Sequence, residues 1–381
     1  MIILGIETSC DETAAAVLQK DGDRITILSN VVASSADLQA KYGGIIPEQA
    51  AREQIKAIIP VIEESLQVSG YSGQEIDTIA VTYGPGLIGS LLVGVETAKV
   101  LATVWGKPLI PVNHLLGHFY ANWIQAEHLR GEAEMTPGTH LGGETPSFPC
   151  LGLLVSGGHT DLVLFTDHGK YTYLGGTRDD AAGECFDKCA RLLGLPYPGG
   201  PQISKMVQKG DPKKFKLPIP MKGSKDFDFS YSGLKTAVAN LIKTLPVIPS
   251  ETRNLSRMRV PNESGDPSLI VQDDNILADL AASIEEAIVT SLVDKVIQAL
   301  KAYPVKNVMV AGGVAANQKL VHNLKFEIRN LKLEISLHVP PPTLCTDNGA
   351  MIASAAFFEK RRTDPLKLQA DPSLSLTNPS F

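Results

Sequence analysis

A chain of 381 residues with 44% hydrophobic and 20% charged residues has ordinary globular composition and length for two domains rather than one. Its formal net charge of −6 sets aside nucleic-acid binding driven by bulk electrostatics. The start, MIILGIE, has no basic region and meets an acid at Glu7, no apolar run reads as a membrane span, and the five cysteines form no C-x-x-C pair; the expectation is a cytoplasmic protein with reduced thiols and no membrane.

In chain order, Met1–Ile6, Ala14–Leu18 and Thr78–Val81 read as strands. Residues 47–68 read as a helix with Ile55, Ile58, Ile59, Ile62 and Leu66 on one stripe. Gly84-Pro85-Gly86 breaks the chain before a helical run from Leu87 to Val104. Residues 126–149 lack periodicity and read as a linker or surface insertion, and residues 244–273 read as a polar, Pro-containing loop. Strands resume at Leu151–Val155 and Asp161–Phe165. Ile276, Leu280, Ile284, Ile288 and Leu292 mark a long amphipathic helix ending near Tyr303-Pro304, and Asn307–Ala311 follows as a buried strand. Strand clusters alternating with helices in both halves predict an α/β fold with two similar lobes, residues 1–125 and 150–346. A final helix, 348–361, is free to pack on either lobe, and residues 362–381 read as a loose tail.

Two distant stretches share a framework. Residues 5–18 read GIETSCDETAAAVL and residues 152–165 read GLLVSGGHTDLVLF, with Gly5, Ser9, Thr13 and Gly152, Ser156, Thr160 at spacing four. Each predicts a β-hairpin whose turn offers hydroxyls and backbone N–H groups, the donors that hold phosphate oxygens. Two such turns facing across a cleft are how an actin-like ATPase clamps a nucleotide. The first turn also carries Asp11 and Glu12, which repel phosphate unless offset and so point to a mechanistic role, solvated turn acids being the bland alternative.

His114 and His118, at i and i+4 on a helix, share one face and can share a metal. A zincin needs Glu directly after the first His; Leu115 stands there, which argues against a metal-dependent peptidase. A third ligand must come from elsewhere, and Asp347 is a candidate either as ligand or as helix cap. Asn307–Asn317 is an apolar strand running into a Gly-Gly turn, where backbone can approach a ligand closely. Gly183–Arg191 reads as a helix with Phe186, Ala190 and Leu193 inward; Asp187 and Glu184 reach a ribose or solvent. Residues 205–235 hold eight Lys, no Arg and three Asp, with Phe227, Phe229 and Tyr231 interleaved, a pattern that suits a nucleic-acid backbone or a solvated face.

Taken together, the runs GIETSCDETAAAV, YGGIIPE, TYGPGLIGSLLVG, VNHLLGH, LVSGGHT, DDAAGECFDK, YPGGP, DFSYSGLKTA, AGGVAAN and CTDNGAM resemble the TsaD family of tRNA threonylcarbamoyladenosine synthases, in order from residue 1 to about 361. The resemblance implies two lobes of the actin-like (Hsp70, sugar kinase) fold. It implies transfer of an L-threonylcarbamoyl group from threonylcarbamoyl-AMP to the exocyclic amine of the adenosine beside the anticodon, in tRNAs reading codons that begin with A. By the same resemblance His114, His118 and Asp347 would hold one divalent metal, iron ahead of zinc. Leu154, Val155, Ser156, Gly157 and Gly158 would line the substrate's phosphate, and Asp187, Gly200 and Asn317 its adenosine part. Asp11 and Glu12 match acids near the reacting centre. Implied partners are tRNA, a TsaB-like paralogue pairing through the first lobe, a TsaE-like ATPase, and a TsaC-type enzyme supplying the adenylate. The chain departs from many relatives at Tyr42 (often His), Tyr231 (often Phe) and Ser204 (often an acid). A non-enzymatic nucleotide-binding regulator is the other alternative, and it would have no need of His114 or His118.

Overall fold

Apolar residues at nearly every position of Ile2–Glu7 (β1) are buried on both sides, as expected of a central strand. The computed structural model describes residues 1–35, 45–125, 145–245 and 274–377; Tyr42 and most of the stretches 126–149 and 244–273 lie outside them. β1 pairs antiparallel with Glu12–Asp21 (β2), which pairs antiparallel with Arg24–Ser34 (β3). Helix Pro47–Ser69 (α1) leads to Thr78–Gly84 (β4), helix Ile88–Trp105 (α2) to Leu109–Asn113 (β5), and these two strands add parallel to the far side of β1. Helix His114–Tyr120 (α3) starts directly after β5.

The second half repeats this. Cys150–Val155 (β6), Thr160–Asp167 (β7) and Lys170–Gly176 (β8) form an antiparallel meander, followed by helices Ala182–Leu192 (α4), Gly199–Met206 (α5), Ser232–Thr244 (α6) and Asp274–Ala302 (α7). Asn307–Ala311 (β9) adds parallel to β6, helix Gln318–Asn330 (α8) intervenes, and Ser336–His338 (β10) adds parallel to β9. The sheet orders are β3-β2-β1-β4-β5 and β10-β9-β6-β7-β8, the same topology built twice. The chain thus has the two similar α/β lobes expected from its sequence.

Strand β6 faces two cores at once. Leu151, Leu153 and Val155 pack with α4, α6 and α7, while Cys150 and Leu154 join α3 and the last helix between the sheets. A third core lies beneath α1 and α2. Short helices Pro342–Cys345 (α9) and Gly349–Ala356 (α10) complete the chain, and α10 packs on the first sheet and α3. It comes so close to β1 that a Cβ at Gly5 would meet Gly349 O at 2.4 Å, so that position accepts only glycine.

Several expectations change. Strands β3 and β8 were not legible as strands, because their outward positions are polar. The isoleucine stripe of α1 splits: Ile58 and Ile62 are buried, whereas Ile55 and Ile59 are exposed. Helix α7 is buried nearly all round rather than amphipathic. Helix α2 is, among the described residues, as long and apolar as a membrane-crossing helix, contrary to the sequence reading; Leu91, Val95 and Ala98 pack inward, while Ile88, Leu92, Val100 and Val104 are exposed. Residues 363–377 are not loose: Thr363 N–H donates to Leu109 O, Asp371 N–H to Tyr83 O, and Leu368 and Leu376 are buried.

Candidate active site and metal centre

The two strands that end each sheet deliver the central group. After β5, Asn113 caps α3 by accepting from Leu115 N–H at 2.9 Å, and the helix begins at His114. One turn on, His118 stacks edge-on against His114, ring centroids 4.7 Å apart. After β10 and α9, the chain turns at Asp347. Its Oδ1 lies 3.6 Å from His114 Nε2 and 3.2 Å from His118 Nε2. Asn348, not Asp347, caps α10, accepting from Met351 N–H at 3.0 Å. Asp347 is therefore left free to face the histidines.

These three side chains fit a metal. Their ligand atoms lie within 4.8 Å of one another. His118 is 1% exposed, its Nδ1 has no hydrogen-bond partner, and its Nε2 meets only Asp347 Oδ1, at 3.2 Å. A buried imidazole with so few partners is costly unless a cation takes its lone pair. Burial alone would lower the His114 pKa, but Glu7 and Asp347 lift it to about 9. Burial likewise opposes ionisation of Asp347, and His114, His118 and His159 outweigh it, holding the carboxyl below the usual range.

The first hairpin turn, residues 8–11, flanks this group and is held from several sides. Gln54 of α1, itself 1% exposed, donates to the carbonyls of Cys10 (3.2 Å) and Glu12 (2.8 Å). Ser90 Oγ donates to Cys10 O at 3.0 Å, Leu87 N–H to Ser9 O at 2.8 Å, and Ser35 Oγ to Asp11 O at 2.8 Å. Asp11 is 8% exposed, so it is not a solvated turn acid. Burial, then Asp347, Asp11 and Glu7, push the Glu12 carboxyl up to about 10. Burial, then Asp347, Asp11 and Glu12, also raise the Cys10 thiol, which stays protonated.

The second turn is open. Ser156 N–H donates to His159 O at 2.8 Å and Ser156 Oγ accepts from His159 N–H at 3.1 Å, closing a tight loop. A Cβ added at Gly157 or Gly158 would meet nothing within 4 Å. Leu154 and Val155 are fully buried, so their side chains serve the cores and only their backbone can line a ligand. Behind the turn, Gly312 has φ +89° and a Cβ there would meet Val155 O at 2.5 Å; only glycine lets β9 turn so close to β6. His159 was not singled out in sequence. Burial, together with His114 and His118, lowers its pKa to about 4, so it faces the group as a neutral imidazole.

The remaining candidates lie around α5. Asp187 on α4 accepts from Gly199 N–H at 2.7 Å, which ties the carboxylate to the first turn of α5 beside Gly200, and burial raises its pKa. Glu184 instead pairs outward with Lys188 at 2.9 Å. Asn317 caps α8, accepting from Leu320 N–H at 2.9 Å, and its Nδ2 donates to Glu285 at 2.7 Å and to Ser204 Oγ at 3.4 Å. Glu285 on α7 is 3% exposed and brings a carboxylate to Asn317 beside Ser204. Glu7, Gln54 and Glu285 escape sequence reading because each acts from within an apolar run or a helix face. Lys205, Lys209, Lys213, Lys214, Lys216, Lys222 and Lys225 are all exposed.

A model of the TsaD family, described as tRNA N6-adenosine threonylcarbamoyltransferase, matches residues 26–354. The tRNA N6-adenosine threonylcarbamoyltransferase of Thermomicrobium roseum is 47% identical over 365 residues, covering 95% of this chain and 93% of that protein. The protein of the same name from Geobacillus thermodenitrificans is 45% identical, covering 98% and 96%. Component A of the (R)-2-hydroxyglutaryl-CoA dehydratase of Acidaminococcus fermentans aligns with a TM-score of 0.47 at 15% identity, over 93% of this chain and 97% of that one. A family match across most of the chain and relatives at this identity, together with the paired hairpin turns and the histidine–aspartate group between the sheets, show that the chain belongs to the TsaD family.

Proposed function

We propose that this chain transfers the L-threonylcarbamoyl group of threonylcarbamoyl-AMP to the N6 amine of the adenosine beside the anticodon, in tRNAs that read codons beginning with A. The observation that carries the proposal is the His114–His118–Asp347 group flanked by the acidic turn on one side and the glycine turn on the other. The substrate is a reactive mixed anhydride, so the protein mainly positions an amine against an activated carbonyl. The N6–carbon bond forms, the carbon–oxygen bond to the phosphate breaks, AMP leaves and the amine gives up one proton.

In this reading the N–H groups of Gly157 and Gly158, with the Ser156 hydroxyl, receive the phosphate as its charge grows on departure. Asp187, Gly200 and Asn317 take the adenosine part, with Glu285 setting the Asn317 side chain. Glu12, half-buried among acids, binds a proton tightly; once ionised it takes the N6 proton as the carbonyl is attacked, and Asp11 orients the amine. His114, His118 and Asp347 would hold one divalent cation, iron ahead of zinc, which as a Lewis acid would polarise the anhydride oxygens. The exposed lysines of residues 205–225 offer a backbone-binding face for tRNA. A TsaB-like paralogue pairing through the first lobe and a TsaE-like ATPase are the partners of this reading, and the cytoplasm its place. The peptidase alternative lacks its base, since Leu115 is a 2% exposed core residue.

The test is mass spectrometry of tRNA nucleosides from a strain depleted of its own transferase and complemented with this gene. Threonylcarbamoyladenosine returns with the unaltered chain and not with the His114→Ala, His118→Ala double variant. A folded, expressed chain that restores none overturns the proposal.

A further inference from the structure

Glu7 is the most deeply buried acid beside the site, with 0% exposure at the end of β1. A buried carboxylate needs donors on each oxygen. Its Oε1 accepts from Ser9 N–H in the acidic turn. Its Oε2 accepts from the Thr82 hydroxyl on β4 and lies 3.0 Å from His114 Nδ1. Since a carboxylate only accepts, Nδ1 of His114 must carry the hydrogen of that contact, with Ser9 Oγ at 3.1 Å as a second acceptor. The other nitrogen, Nε2, faces Asp347 and is the one whose lone pair a metal would take in place of a proton. His118 has no such partner on Nδ1.

We propose that Glu7 is a positioning residue that fixes the tautomer and ring orientation of His114 and thereby sets the metal affinity of the His114–His118–Asp347 site. The same carboxylate ties that ligand to the turn carrying Asp11 and Glu12, so the metal and the acids move as one unit. The inference rests on the metal reading of the three ligands. Carboxylate–histidine–metal relays of this kind hold ligand orientation in metalloenzymes generally.

Glu7→Gln separates charge from shape. Its Oε1 must stay on Ser9 N–H, because an NH2 there would meet a donor. The NH2 then faces His114 Nδ1 and donates to it, so the ring proton moves to Nε2 and blocks the ligand lone pair. Co2+ titration of the full-length chain, read by visible absorption against a competing chelator, should show affinity about 10- to 100-fold lower than wild type, at an unchanged thermal midpoint. Thr82→Val strips another donor from the same oxygen but keeps the Glu7–His114 contact, and should cost less Co2+ affinity than Glu7→Gln does. Glu7→Gln binding as tightly as wild type, or Thr82→Val losing as much as Glu7→Gln, overturns the proposal. Should Glu7→Gln fail to fold, 15N NMR of the unaltered, Zn2+-loaded chain decides: a hydrogen on His114 Nδ1 is expected, and a bare or metal-bound Nδ1 overturns it. Wild type that binds no Co2+, or a His118→Ala variant that binds it as wild type does, removes the metal reading itself and the role of Glu7 with it; intact wild-type binding with an indifferent Glu7→Gln removes only the latter.

Discussion

The turns at residues 8–11 and 156–159 occupy the same place in two sheets of the same strand order, each joining the central strand to its antiparallel neighbour. Their surroundings differ. The first is bonded by Gln54, Ser90, Leu87, Ser35 and Glu7 and presents carboxylates. The second closes on its own serine and presents bare glycines to open space. A repeated framework thus supplies two equivalent stations, and in the proposed function the side chains added to each decide which end of the substrate it serves. Acids held rigidly suit proton and amine work; open N–H groups suit a phosphate. The last strand of each sheet completes the pattern, the first giving His114 and His118 and the second giving Asp347.

The largest expected effect comes from removing the contribution of either sheet to the shared group. Asp347→Ala, or His114→Ala with His118→Ala, should drop metal from about one per chain to near none by elemental analysis, with the fold kept by circular dichroism. Stoichiometric metal in either variant would show that the sheets do not share a ligand set. Next is Glu12→Ala, for which single-turnover transfer to tRNA should slow by about 100-fold while affinity for a non-reactive adenylate analogue changes little. Wild-type transfer at saturation with poor analogue binding would move Glu12 from chemistry to binding. Gly157→Ala should do the reverse: analogue affinity about 10-fold weaker, as the new methyl crowds the N–H face, with thermal stability unchanged because nothing lies within 4 Å. A loss of stability there would mean that the second turn is not open.

The smallest effect lies at the junction between the sheets. His168 stacks on Phe358 at 3.8 Å, and burial lowers its pKa from 6.5 to about 4. A base whose folded pKa is depressed stabilises the fold above its unfolded pKa and loses that stability as pH falls from 6.5 towards 4. Because the ring is half-exposed, screening reduces the effect to about 1 kcal/mol. Urea denaturation at pH 7 and pH 4.5 should show His168→Phe narrowing the difference by that amount; an unchanged difference would show that His168 is not the acid-sensitive contact.

Much of this arrangement could be read from the chain. The Gly/Ser/Thr framework marked both hairpins because turn chemistry is local, and the i, i+4 histidines marked α3 because the helix period is local. Strands β3 and β8 were missed because polar residues mask the alternation: Thr26 and Asn30 or Lys170 and Thr172 on the outer faces, and in β3 also Ser29, which is buried against Ser65. The tail was misjudged because Leu368 and Leu376 are isolated apolar residues whose partners lie far away in sequence. Glu7 could not be found at all. It reads as one acid closing an apolar strand, and only the approach of α3 and β4 shows that its two oxygens join a turn, a strand and His114.

The division of labour between the turns is tested most directly by a crystal structure of the metal-loaded chain with a non-reactive threonylcarbamoyl-adenylate analogue. The account predicts the phosphate within hydrogen-bond distance of the Gly157 and Gly158 N–H groups, and the carbonyl carbon between Glu12 and the His114–His118–Asp347 group. A phosphate seated on residues 9–11, with the carbonyl turned towards Gly157, would contradict it.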